Sequence, residues 1–261
     1  MSTRATLLGD FLEELCAATD FTERFDVYAR YITALGFDGA SFTYVPSLFV
    51  SNHIHVSPIF HVTEHYPQAF IEQYNNEHWE QYDFTITELN KNNFAIKDWQ
   101  QAYASQALTA AAKQQLLIAK TDYDIKNALT IPLKNFAGVS GTSIISHEKN
   151  RSFNKLKKEH LETLRILTRV FSESNFADSA IATYFVAPYL SVLKKKELAV
   201  LQYIAAGKAL KNIETELGIT KRYASNLLDL VRERLGGISR DQLMCLFGEY
   251  RILDPKRGSS C

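Results

Sequence analysis

Asp83 is the residue whose surroundings ask most of a partner. It stands between Tyr82 and Phe84 in a stretch rich in aromatic side chains, with Tyr74 before it and Trp99 after it. A carboxylate there is costly to bury unless a group donates to it. An amide N–H from a small ligand is such a donor, at about 1.5 to 3 kcal/mol for a hydrogen bond to a charged group. The plainer reading of the same residues is a surface Asp flanked by two core aromatics. A second candidate set lies near the C-terminus, where Arg222, Ser225, Asn226, Asp229 and Arg232 fall on one side of a predicted helix. Ala224, Leu227, Leu228, Val231 and Leu235 fall on the other, so one face packs and one is presented.

A third set has the spelling of a metal site. His61-Val62-Thr63-Glu64-His65 reads H-x-x-E-H, and His53 and His55 lie close by. That pattern holds a metal only on a helix, where residues four apart face one ion. Pro58 and Pro67 bracket this stretch and its β-branched residues predict strand or loop, so no metal ligands are expected. Nor does the chain contain a Gly-rich phosphate loop, a GxSxG elbow or a placeable Cys-His dyad. The expectation is a protein that is not an enzyme.

The elements that position these residues follow from the patterning. With 261 residues at roughly 100 to 200 per domain, two domains, or one large domain with an appendage, are expected. Apolar residues are 46% and charged residues 22%, the composition of a globular chain. No apolar run reaches the roughly 18 residues needed to span a bilayer, and Asp10, Glu13 and Glu14 interrupt the N-terminus where a signal peptide needs an apolar stretch. The location expected is cytoplasmic, without a membrane partner. Cys16, Cys245 and Cys261 form no CxxC pair and predict neither disulfide nor zinc ribbon. The formal net charge of zero hides an asymmetry: from Pro188 onward there are 13 Lys and Arg against 8 Asp and Glu, and the remainder is correspondingly acidic. A basic segment is a candidate for a polyanion.

Residues 6 to 36 read as two helices, with apolar residues at three- and four-residue steps and Gly36 as the stop. Phe42, Tyr44 and Val45 predict a strand. Leu129 to Leu133 and Ser143 to Ser146, joined by a loop with Gly138 and Gly141, predict an antiparallel hairpin. Helices are expected near 67 to 77 and 107 to 121, and a long one from Phe153 to Phe171 with Ser152 as its N-cap. The fold class expected is α+β: an α-β-α sandwich around an antiparallel sheet over residues 1–176, a linker at 177–187, and an all-α domain of four helices at 188–261. Its helices run from about Lys194 to Ala206, Ala209 to Leu217, after Thr220, and after a Ser239/Gln242 capping box. Two helices crossing at the Gly218 turn, the second showing Arg, Ser and Asn outward, have the form of a helix-turn-helix that enters the DNA major groove. A small bundle with a solvated polar face has the same pattern.

The residues from Leu193 through Lys196-Glu197, Val200-Leu201, Ala205, Gly207-Lys208, Ile213, Leu217-Gly218-Ile219-Thr220, Val231 and Leu235-Gly236 to Arg240 are similar, without gaps, to the DNA-binding domain of the LuxR family of bacterial transcription regulators. Glu214, Glu216, Leu227 and Tyr223-Ala224 depart from its usual residues. The resemblance implies double-stranded DNA as partner and Lys208, Thr220, Lys221, Arg222, Ser225, Asn226 and Arg232 as contacts. The first segment resembles the acyl-homoserine-lactone-binding domain of the family's quorum-sensing branch through Tyr66-Pro67, Tyr74, Asp83, Trp99 and Ala128-Leu129-Thr130-Ile131-Pro132-Leu133. It implies ligand contacts at Tyr66, Phe70, Tyr74, Asp83, Thr85, Trp99, Ala128 and Ile144, with the Tyr hydroxyl on the acyl carbonyl and the Asp on the amide N–H. Phe70 replaces a Trp that would meet the lactone carbonyl, Phe84 a Pro, Ala128 a Gly and Ile144 a frequent polar residue.

The function implied is a ligand-responsive transcription regulator that senses an acyl-homoserine lactone or a similar small amphipathic autoinducer and carries no other cofactor. A homodimer is expected, because Ile166 and Val170 give the long helix apolar residues on more than one face. The alternative is a dimerising decoy that does not bind DNA and sequesters another LuxR-type regulator.

Overall fold

The computed structural model describes residues 3–46, 58–91, 93–134, 138–177, 181, 183–185 and 193–249; His53 and His55 lie outside them. The chain divides into two compact units, Met1–Ala177 and Asp178–Cys261.

The first unit is built on a mixed sheet-and-helix plan. Five strands, β1 (Gly39–Pro46), β2 (Ile59–Val62), β3 (Lys97–Asp98), β4 (Asn127–Lys134) and β5 (Gly138–Ser146), lie in the order β2-β1-β5-β4-β3, every pair antiparallel. The pleat sends alternate residues to opposite faces. One face meets α2 (Phe21–Ala34) and the 28-residue α7 (Asn150–Ala177), and α1 (Thr3–Ala17) packs against these two helices. There the Phe42 ring packs tilted or edge-on against Phe21 and Phe171 at 5.5 and 5.6 Å, Tyr28 stacks on Phe171 at 4.8 Å, and the Tyr28 and Thr168 hydroxyls are 2.8 Å apart. The opposite face carries four helices: α3 (Gln68–Asn76), α4 (Phe84–Asn90), α5 (Trp99–Ala104) and α6 (Ala110–Thr121).

Local signals explain the punctuation. Asp20 caps α2 by accepting from the Glu23 N–H at 2.9 Å, and Gly36, at φ +93°, turns the chain out of it. The long helix starts at Asn150 rather than after Ser152, so Ser152 sits inside the first turn and does not cap. The short helices α4 and α5, which periodicity does not reveal, begin at side-chain caps: Asp83 for α4, and for α5 Asp98, which accepts from the Gln100 and Gln101 N–H groups at 3.0 and 3.1 Å.

The second unit contains α8 (Lys195–Ala205), α9 (Ile213–Leu217), α10 (Lys221–Arg234) and α11 (Arg240–Glu249). The expected helix over 209–217 is a 3-10 turn at Leu210–Asn212 followed by the five-residue α9. Gly218, at φ +66°, turns the chain, and Thr220 caps α10 by accepting from the Tyr223 N–H at 3.2 Å. Val200, Leu201, Ile213, Ala224, Val231, Leu243 and Phe247 form its core. Glu197, 2% exposed, is held there by Arg234 Nη2 at 2.6 Å and the Lys194 N–H at 2.7 Å; a charge so placed is tolerated because it is paired and hydrogen-bonded. Ser239 and Gln242 bond reciprocally at the start of α11, at 2.7 and 3.1 Å. No helix among the described residues is long and apolar enough to cross a membrane.

Candidate ligand cavity and polar helix face

Between the sheet and α3–α6 lies a cavity. Its sheet wall is Ser41, Thr43 and Val45 of β1, Thr130 of β4, and Val139, Ser140, Gly141 and Ser143 of β5. Its helical wall includes Phe70, Ile71 and Tyr74 of α3, Phe84, Thr85 and Leu89 of α4, Trp99 of α5, and Gln115 and Leu116 of α6. The unfilled space amounts to about 670 Å3 counting its open mouth.

Asp83 stands at the point where α4 begins. Its Oδ1 accepts from both the Thr85 N–H and the Thr85 hydroxyl at 2.7 Å, and its Oδ2 from the Tyr74 hydroxyl at 2.9 Å. Burial pushes the Asp83 carboxyl above the ordinary carboxylate value, while the Thr85 and Tyr74 hydrogen bonds pull it down without cancelling that. Burial, then the adjacent Asp83 charge, holds the Tyr74 phenol well above its usual range. The arrangement is an anionic acceptor on the wall of a mostly apolar cavity. It can take a further donor.

The other expected ligand residues divide. Tyr66, 3% exposed, lines the cavity together with Ser41. Trp99 forms a wall, edge-on to Phe84 at 6.4 Å, and its indole N–H donates to Thr130 Oγ1 at 2.8 Å. Phe70 lines the cavity but is 3% exposed, ringed by Tyr66, Tyr74, Trp79 and Tyr123 with centroids 5.4 to 6.4 Å away. Ala128 lies under it in the same apolar cluster and does not reach the open space. Ile144 is a correction: Val139, Gly141 and Ser143 face the cavity, so the pleat points Ile144 to the opposite face. The polar residue of β5 on the cavity side is Ser143, 2.8 Å from the Thr130 hydroxyl. Gln115 was missed by the sequence reading; it lies on the buried stripe Ala112, Gln115, Leu116, Ala119 of α6, where a polar residue among apolar ones was the available signal.

The H-x-x-E-H stretch does not converge. His61 lies in β2 with its ring edge-on to Phe21 and Phe25 at 5.3 and 4.7 Å, and burial lowers its pKa. Glu64 and His65 are in the exposed turn that follows. No His, Cys, Asp and Glu cluster among the described residues could hold a metal ion.

In the second unit, Lys221, Arg222 and Asn226 are exposed, and Thr220 and Lys208 lie exposed before them. Ser225 is half-buried. Two of the expected contacts are already engaged. Arg232 donates from Nε to the Ile238 carbonyl at 2.7 Å and from Nη1 to Asp229 Oδ1 at 2.8 Å, and so fastens the end of α10 to the turn before α11 rather than projecting freely. Lys208 pairs with Glu216.

The family described as autoinducer binding domain matches residues 20–174. Among solved structures, Escherichia coli SdiA is 17% identical, with 96% of this chain and 97% of that one covered and a TM-score of 0.51. SdiA in complex with octanoyl-rac-glycerol is 16% identical, covering 96% and 95% at a TM-score of 0.49. The N-acylhomoserine-lactone-dependent LuxR-family transcription factor CepR2 of Burkholderia cenocepacia is 12% identical, covering 68% and 100% at 0.49. The first likeness shows a shared fold. No curated protein sequence matches the chain.

Proposed function

Because the chain belongs to the autoinducer binding domain family, we propose that it is a quorum-sensing-type transcription regulator whose first unit holds a small amphipathic signal, an acyl-homoserine lactone or a relative of it, in the cavity beside Asp83. The observation that carries this reading is the carboxylate itself: half-buried, charged, and set by Tyr74 and Thr85 on the wall of an apolar cavity. The acyl amide N–H would take the place of the Tyr74 hydroxyl at Asp83 Oδ2, and that hydroxyl, once released, would turn to the acyl carbonyl. An alkyl chain would lie along Val45, Phe60, Leu89 and Val139. A ligand that fills the cavity stabilises the folded unit by mass action.

The second unit acts in this reading as a helix-turn-helix module. The pair α9 and α10, turning at Gly218 and capped by Thr220, presents Lys221, Arg222, Ser225 and Asn226 to the major groove, with Lys208 at the phosphate backbone. Two copies, dimerised in part through the half-buried Ile166 and Val170 of α7, would place two such helices one DNA turn apart. The decoy reading draws on Arg232 and Lys208, whose hydrogen bonds within the unit leave fewer free cations for DNA. Thermal-shift titration of the full chain with a series of N-acyl-homoserine lactones, followed by selection from a random DNA pool with the loaded protein, tests both halves. Stabilisation by at least one lactone and enrichment of a two-fold-symmetric site are expected. Stabilisation without enrichment favours the decoy, and no response to any amphiphile refutes the cavity assignment.

A further inference from the structure

Trp99 enters the cavity wall from the first residue of α5, and α5 is poorly able to hold itself in place. It is six residues long and none of them is fully buried; helices this short are marginal without outside support. The support is gathered at its start. Asp98 belongs to the two-residue β3 at the edge of the sheet and caps α5, its Oδ1 accepting from the Gln100 and Gln101 N–H groups. Its other carboxylate oxygen, Oδ2, accepts from Lys157 Nζ.

Lys157 comes from another layer of the fold. It sits on α7, which covers the opposite face of the sheet, and it does not line the cavity. Its Nζ lies 5.7 Å from the centroid of the buried Phe153 ring, and the side chains of the pair are 19% and 8% exposed. Charges so placed depend on each other, and removing one strands its partner. Among the described residues Lys157 is the only cation paired with Asp98, since the adjacent Lys97 goes to Glu88 at 3.5 Å. Trp99 is thus held at two points: its indole N–H is tied to Thr130, and the backbone that carries it is tied through Asp98 to Lys157.

We infer that Lys157 is a positioning residue for the signal cavity: acting through Asp98 around the edge of the sheet, it sets the start of α5 and so the place of Trp99 in the wall. The inference rests on the reading proposed above, that a signal fills this cavity. If about one molecule in ten keeps Trp99 in place once the pair is lost, apparent affinity falls about tenfold, although Lys157 never meets the ligand.

The test uses the full chain labelled with 5-fluorotryptophan. Its two tryptophans, Trp79 and Trp99, give two fluorine resonances, and the one lost in Trp99→Phe is that of Trp99. Lys157→Met, read well below its melting temperature, should shift or broaden the Trp99 resonance and leave that of Trp79 in place. It should also weaken binding of N-octanoyl-homoserine lactone about tenfold in calorimetry. Lys157→Arg should restore both readings. Asp98→Asn keeps the cap and strands no carboxylate, so it serves should Lys157→Met fold poorly; it should have the same two effects, with nothing added in the double variant. Lys158→Met, at the exposed next residue, should change neither. A Lys157→Met protein that melts earlier but keeps its Trp99 resonance and its affinity has lost only a stabilising ion pair, and overturns the inference. So does lost affinity with an unmoved Trp99 resonance. Absence of binding by the wild type removes the signal reading and the affinity effect with it, and is told apart by the fluorine resonances, which report the placing of Trp99 without ligand.

Discussion

Asp83→Asn separates the two jobs that one carboxylate performs here. In the protein alone Asp83 is a helix cap: its Oδ1 takes the Thr85 N–H and hydroxyl at 2.7 Å, and Asn keeps an oxygen that can do the same. Asn and Asp are near-equal as N-caps, and the Tyr74 hydroxyl, 2.9 Å from Oδ2, can accept from the new amide nitrogen instead of donating. The substitution also removes a charge whose burial is unfavourable, as the raised pKa of the carboxyl records. Its expected cost to the free protein is therefore within about 0.5 kcal/mol, because the cap is kept and a buried charge is removed. In the complex the balance differs, because the amide nitrogen meets the ligand N–H donor to donor. Loss of a hydrogen bond to a charged group, about 1.5 to 3 kcal/mol, lowers affinity by roughly 10- to 150-fold. Asp83→Ala, by contrast, forfeits the cap at about 0.5 to 2 kcal/mol and strands the buried Tyr74 hydroxyl at about 1 to 3 kcal/mol, so it should destabilise the protein before any ligand is added. Thermal melts of the three proteins without ligand, paired with titrations of any acyl amide that the wild type binds, measure both jobs. An Asn variant that melts and binds like the wild type would mean that Asp83 is a cap and nothing more.

Four further outcomes are expected. Arg222→Ala should weaken DNA binding in a salt-dependent way while leaving melting unchanged, since Arg222 is exposed; fluorescence anisotropy at two salt concentrations reads the first and a thermal melt the second. Arg232→Ala should destabilise the second unit by about 1 kcal/mol even without DNA, because it breaks the bond to the Ile238 carbonyl; a denaturant melt of that variant checks it. Phe70→Trp adds volume inside a closed ring of aromatics and should cost about 1 to 3 kcal/mol through overpacking, so its melting temperature should fall even if a lactone gains a donor. Ligand affinity should fall as pH drops through the Asp83 value. The free carboxyl is raised, a bound donor lowers it, and the complex therefore binds fewer protons than the free protein in that window; titration calorimetry at stepped acidic pH should show the loss, and a flat profile would count against Asp83.

Much of the architecture is legible in the residues, and the gaps have particular causes. Helix α10 is spelled out by Thr220, the row Ala224, Leu227, Leu228, Val231 and the Gly236-Gly237 stop, and the structure follows it residue for residue. The hairpin of β4 and β5 is legible as β-prone runs about a glycine loop, but not which face of it turns to the cavity. Ile144 is placed at the cavity by the family resemblance alone, and because Thr142-Ser143-Ile144-Ile145 does not alternate cleanly the pattern cannot show that Ser143 faces the cavity instead. The helices α4 and α5 are too short for periodicity to register, and Asp83 and Asp98 reveal them only as caps. Asp83 reads from sequence as a binding carboxylate, and the structure adds that it also starts a helix. A helical wheel gives the face of Arg232 and cannot give the carbonyl of Ile238 six residues on, which depends on where the next turn folds back. Gln115 escapes for the opposite reason: on the buried stripe of α6 it looks like a satisfied core polar residue until the missing partner of its carbonyl is seen.

In the proposed reading a small amphiphile sits in the cavity with its polar head on Asp83. Mass spectrometry of the organic extract of the purified full chain, after incubation with bacterial culture extract, tests it most directly. One enriched amphiphile is expected in near-stoichiometric amount in the wild type, retained poorly by Asp83→Asn. Recovery of no small molecule from the wild type, or equal recovery from both proteins, would contradict it.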